Sequence, residues 1–90
     1  MDNWLRDILK DLDMNHEERA GILMIANTNE YKEYRNKVKS NPASFEGWTE
    51  PYILSFLIFC TGENDKYTSL IDKNRFREKA KEIGIKLKEW

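Results

Sequence analysis

Leu5, Ile8, Leu9 and Leu12 fall at i, i+3, i+4 and i+7, with Trp4 at the border of the same stripe. That repeat places them on one side of a helix, so the pattern predicts an amphipathic helix over 3–13, with Asp2 or Asn3 available to cap it. Its opposite side carries Arg6, Asp7, Lys10, Asp11 and Asp13. The pattern then changes. Residues 20–26 read Ala-Gly-Ile-Leu-Met-Ile-Ala, nearly all apolar. Asn15 lies three residues before Glu18, a capping-box-like start, and a second, buried helix is expected over 16–26. A buried strand over 22–26 is the alternative.

Asn27-Thr28-Asn29 interrupts the apolar run, and Asn27 with Glu30 repeats the Asn-x-x-Glu spacing. A third helix is expected over 28–39, with Tyr31, Tyr34 and Val38 on one side and Lys32, Arg35, Lys37 and Lys39 elsewhere. One long kinked helix over 16–39 fits the same residues. Asn41-Pro42 and Gly47 then mark residues 40–48 as a loop, and it carries two large rings, Phe45 and Trp48.

The most apolar stretch is Pro51 to Gly62, twelve residues without a charge in a chain that is 34% charged. Each large apolar side chain it buries contributes roughly 1.5–3 kcal/mol, so the rest of the chain is expected to gather around it. Its aromatic and β-branched residues suit a strand. Its flanks suit a helix: Thr49 as N-cap, Glu50 and Pro51 in the first turn, Gly62 as the stop. A helix over 51–60, apolar on all sides, is the reading adopted. It is too short to cross a bilayer, which takes about 20 apolar residues.

Beyond it, Tyr67, Leu70 and Ile71 suggest a short helix. Asp72 is placed to cap a last helix over 73–83 with Phe76, Ala80 and Ile83 on a narrow apolar face, stopped by Gly84. Ile85-Lys86-Leu87-Lys88 alternates, as a short strand at 85–88 or a tail docking Ile85, Leu87 and Trp90 would. The expected fold is all-α: one domain over 1–90, a bundle of four to six short helices around the central helix.

Charge changes this picture little in total and more in distribution. Fifteen bases against sixteen acids leave a net charge of −1, which argues against a dominant nucleic-acid or anionic-membrane footprint. Residues 1–18 hold six acids and two bases, whereas residues 19–39 hold five bases and two acids. The single cysteine, Cys60, sits in the apolar stretch, so no intramolecular disulfide forms, and an inert core thiol in a reducing compartment is expected. No basic and apolar leader opens the chain, and the cytoplasm is the expected location.

Candidate chemistry is sparse. His16 is the only histidine and would sit in the first turn of the second helix, where a positive charge is disfavoured, as a surface residue. There is no Gly-rich phosphate loop, no zinc spacing and no nucleophile elbow. Asp7, Asp11, Asp13, Glu17 and Glu18 are dense but lack the spacing and turn glycine of a calcium loop. No metal, cofactor or catalytic residue is expected.

A non-enzymatic module that binds another protein is therefore the leading expectation: an adaptor, regulator or inhibitor, whose small size, charge density and lack of catalytic groups suggest an accessory protein of a phage or other mobile element. Two surfaces are candidates: Phe45 with Trp48 on the loop, because aromatics anchor interfaces, and Asp7 with Asp11 on the acidic side of the first helix. A third route is self-association: if the first helix is not needed to cover the core, Trp4, Leu5, Ile8, Leu9 and Leu12 form a homodimer seam. The alternative is DNA binding through the last helix, where Lys73, Arg77 and Lys81 make one row and Arg75 and Lys79 another. Helix, turn, basic helix and alternating strand is the element order at the end of a winged-helix domain. The chain stops before a second wing strand, and Glu78 and Glu82 dilute the positive field that phosphate binding requires.

Overall fold

The computed structural model describes residues 3–62 and 73–87. Among them are five α-helices and one 3-10 turn: α1 (Asn3–Asp11), α2 (His16–Ala26), α3 (Asn29–Ser40), the turn Pro42–Phe45, α4 (Glu50–Cys60) and α5 (Lys73–Ile83). No strand occurs among the described residues, and the fold is an all-α bundle of short helices. The helix suggested by Tyr67, Leu70 and Ile71, the Asp72 cap and the docking of Trp90 lie outside the described residues.

Local chemistry sets most of the boundaries. The Asn15 side chain accepts from the Glu18 backbone N–H at 2.8 Å and opens α2. Thr49 does the same for α4, accepting from Tyr52 N–H at 3.3 Å, with Pro51 in the first turn where its missing donor goes unused. Between α2 and α3 the Thr28 hydroxyl serves both helices. It donates to the Ile25 carbonyl at 2.7 Å and accepts from Tyr31 N–H at 3.2 Å. The backbone is extended at Thr28, so residues 16–39 are two helices, not one kinked one. The cap is Thr28 and not Asn27, which instead closes α2 in a right-handed helical conformation. α1 stops at Asp11, short of the expected 13, and residues 13–15 leave the helix to present the Asn15 cap.

α5 ends in a Schellman motif. Gly84 N–H reaches the Lys81 carbonyl, Ile85 N–H reaches the Ala80 carbonyl at 2.7 Å, and Gly84 takes φ +83°. This reversal aims Ile85 into the core, and the Lys37 ammonium holds the turn by donating to the Gly84 carbonyl at 3.0 Å. Of the two forms open to this segment, residues 85–87 are a docked tail, with Ile85 buried and Leu87 half-buried against the core.

The uncharged stretch is a helix, and it is enclosed. Leu54, Phe56, Leu57, Ile58, Phe59 and Cys60 of α4 are buried, and the helix packs against α1, α3 and α5. From α1 come Leu5, Ile8 and Leu9, from α3 Tyr31 and Val38, and from α5 Phe76, Ala80 and Ile83. α2 departs from expectation. It forms over the expected residues but contributes only Ile22 to the buried set; Leu23, Ile25 and Ala26 are half-buried, and Ala20 and Met24 are exposed.

Candidate functional site

The loop after α3 is pinned to the core. Phe45 is buried, 5.1 Å from Trp48 in an edge-on pair and 5.6 Å from Phe56. Trp48 is half-buried, 4.7 Å from Tyr52 and 5.9 Å from Phe76. Such pairs add about 0.5–1.5 kcal/mol beyond the area they bury. Phe45 is therefore a core residue, and Trp48 is half-buried among the same rings.

The basic helix holds the same loop. Lys79 reaches across from α5 to donate to the Ser44 carbonyl, pairs with Glu82 at 2.6 Å, and lies 5.5 Å from each of the Phe45 and Trp48 rings. Arg75 stacks over Trp48 at 4.8 Å and Tyr52 at 5.1 Å. The row Arg75 and Lys79, expected as a candidate DNA-contacting row, thus clamps the aromatic loop. In the other row Lys73 is half-buried, Arg77 is exposed with its guanidinium 3.2 Å from Asn74 Oδ1, and Lys81 is exposed. The five cations do not form one continuous face.

Asp7 and Asp11 stand exposed on the outer side of α1, and Asp13, His16, Glu17 and Glu18 are exposed beyond it. Among the described residues no group of three His, Cys, Asp or Glu is placed to hold a metal ion. The condition for the homodimer seam is not met. Leu5, Ile8 and Leu9 are 1%, 2% and 6% exposed within the single chain, and Trp4 and Leu12 are half-buried against the same core. Within the single chain α1 lays this stripe against α4. Cys60 is buried, and desolvation pushes its thiol far above the usual range, which keeps it protonated at neutral pH. Tyr34 is raised as well, by burial first and then by the negative charge of Glu30 and Glu33.

The structure adds a feature that the pattern of residues did not single out. Between α2 and α3, with Leu5 of α1 at its base, lies a cleft of about 590 Å³. Leu5, Leu23, Ala26 and Tyr31 supply apolar wall, and Asn27, Lys32, Arg35, Asn36 and Lys39 supply the polar edge. Among the described residues, three cations line it and no carboxylate does. The signal was present but incomplete in the sequence. Lys32, Arg35 and Lys39 sit at i, i+3 and i+7 of α3, one helical face, while Glu30 and Glu33 fall on the other side. That α2 leaves its neighbouring wall uncovered was not readable. The Arg35 guanidinium lies 4.0 Å above the Trp4 ring, which fixes one edge of the cleft to α1.

No protein-family model, no curated protein and no solved structure matches the chain. Among the described residues no helix is long and apolar enough to cross a membrane.

Proposed function

We propose that this chain is a non-enzymatic interaction module, a small adaptor, regulator or inhibitor that acts by binding another protein through α2 and the cleft beside it. The observation that carries the reading is the surplus of apolar surface on α2. Ala20, Leu23 and Met24 fall at i, i+3 and i+4, and Met24 is 73% exposed. Scattered exposed apolar residues are ordinary, but contiguous ones beside a cleft mark contact surfaces. Methionine suits such a surface because its unbranched, polarisable side chain adapts to different partners. The expected loop and acidic surfaces carry less of this reading: Phe45 is buried, and Asp7 and Asp11 are exposed carboxylates.

A photo-cross-linking side chain placed at Met24 tests the reading in the native host. The expected result is a discrete adduct with a second protein from position 24 and none from position 78, where Glu78 is also exposed on α5. Absence of an adduct specific to position 24 would remove the reading. An adduct of the chain with itself alone would replace it with self-association.

A further inference from the structure

We infer that the cleft between α2 and α3 takes an amphipathic helix whose flank carries aspartate or glutamate, its apolar side chains entering beside Leu23, Ala26 and Tyr31 and its carboxylates meeting Lys32, Arg35 and Lys39. The inference rests on the reading of the chain as a protein-binding module and adds to it the chemistry of the partner.

Charge complementarity carries the argument. Among the described residues lining the cleft, every Lys, Arg, Asp or Glu is a cation. Lys32 and Lys39 are exposed, so their ammonium groups are hydrated and mobile until a partner orders them. Arg35 keeps its charge while stacked on Trp4. A cationic or neutral partner would leave the like charges of Lys32 and Lys39 at its edge. An anionic one neutralises them and is drawn in at low ionic strength.

Shape and spacing select the form of the occupant. Lys32 to Lys39 spans about 10 Å along α3, two helical turns at 1.5 Å per residue. Carboxylates one turn apart on a helix laid along α3 meet that row in register. No strand, and hence no free sheet edge, occurs among the described residues, so a peptide adding as a β-strand has nothing to pair with there. Clefts of roughly 300–1,000 Å³ accept a few side chains at once, and this one, at about 590 Å³, accommodates apolar anchors from successive turns of one helix. The adjoining exposed Ala20 and Met24 extend the apolar contact past the cleft itself.

The test uses the full chain and two fluorescein-labelled synthetic peptides of about 16 residues, long enough to be partly helical alone. Both carry the same Leu and Ala stripe; one has Glu along its flanks and the other Lys. Anisotropy titrations at low salt are expected to show saturable binding of the Glu peptide, about ten-fold or more tighter than the Lys peptide. The preference should shrink as salt rises. The double variant Lys32→Glu/Lys39→Glu should reverse it, the milder Lys32→Gln/Lys39→Gln should abolish it, and Leu23→Asp should weaken both peptides. Unchanged far-UV circular dichroism and melting temperature establish that these surface variants fold.

Equal binding of the two peptides, or a preference that survives Lys32→Glu/Lys39→Glu, overturns the inference while leaving the module reading intact. Displacement of the Glu peptide by an oligonucleotide of equal charge at equal concentration also overturns it, because the row would then be reading phosphate. So does sedimentation showing a dimer that Leu23→Asp dissolves, which would seat a second copy in the cleft. Failure of both peptides to bind overturns the acidic-helix inference, and the position-24 cross-link then decides the broader reading by itself.

Discussion

Helices α2 and α4 are both 11 residues long, both open on a polar side chain that accepts from the third residue onward, and both contain an uncharged, mostly apolar run. Their fates differ. α4 buries six residues and is wrapped by α1, α3 and α5, whereas α2 buries one and leans chiefly on α3. The difference is one of supply. A chain of 90 residues encloses a limited fraction of its own surface. α1, α3 and α5 all pack on α4 and bring Leu5, Tyr31, Val38 and Phe76 to it, which leaves little of their apolar surface for α2. An apolar run measures how strongly a segment prefers to leave water, not which neighbour satisfies it. In α4 the neighbour is the rest of the chain. In α2 the shortfall is what a partner would fill.

Phe56→Ala gives the largest expected effect on this contrast. Phe56 is fully buried and lies within 6 Å of Phe45, Trp48 and Phe76. Truncation should destabilise by about 3–5 kcal/mol in urea unfolding. A loss below about 1.5 kcal/mol would mean that α4 is less enclosed than described, and the contrast would weaken.

Lys79→Met comes next. It keeps the packing of the side-chain stem against Phe45 and Trp48 but strands the Ser44 carbonyl and frees Glu82. About 1–3 kcal/mol of destabilisation is expected. Because Lys79 ties α5 to the loop over α4, limited proteolysis should quicken at residues 43–48. If Lys79 served a nucleic acid instead, stability and cleavage would be unchanged.

Cys60 sharpens the comparison by pH. Its folded-state thiol is raised above the ordinary 9.0, so at pH values above 9 the unfolded chain has lost a proton that the folded chain retains. The unfolded state then binds fewer protons, and stability falls as pH rises, by about 1.4 kcal/mol per pH unit from this group. The stabilising term is fully present below pH 9 and is lost progressively above it. Tyr34, raised from 10.0, adds to the same slope from its own value upward. Cys60→Ala should flatten the decline between pH 9 and 10 in chemical unfolding. In the native protein at pH 8 the thiol should not react with Ellman's reagent until the chain unfolds.

The caps provide a smaller, matched pair. Thr49→Ala and Asn15→Ala each remove one side-chain acceptor and should each cost about 1 kcal/mol. The difference is expected in where the loss shows. For Thr49→Ala it should appear as a global change in amide exchange, since α4 opens only when the core does. For Asn15→Ala it should be confined to the amides of α2. Global exchange in both would mean that α2 is as integral as α4. The smallest effect belongs to Met24→Gln, within about 0.5 kcal/mol of the native chain by urea unfolding. A larger loss would show that Met24 is held by contacts within the chain, and α2 would no longer qualify as a free surface.

Much of this fold could be read along the chain, and the legible parts share a cause. Caps, stops and helical stripes depend on residues three to seven apart. Asn15, Thr49, Gly62 and Gly84 therefore placed their helix ends directly, and Leu5, Ile8 and Leu9 identified the inward side of α1. Where two neighbouring residues competed for one role, as Asn27 and Thr28 did, the local pattern did not choose. The hydroxyl won because it both donates to α2 and accepts from α3, which the Asn27 side chain does not do.

Which of the candidate surfaces are taken up by the fold was not legible in the same way, because that rests on contacts between distant residues. Lys79 is 35 residues from Ser44, and Lys37 is 47 residues from Gly84. Nothing in the spacing of a basic helix distinguishes a cation that clamps a loop from one that waits for a ligand. Nor does an apolar run state whether helices will surround it. The order of residues determined which segments are helical and which of their faces avoid water. Tertiary packing alone decided which of those faces found cover within the chain, because a limited number of helices cannot enclose every apolar side at once, and the side left open lies beside three cations.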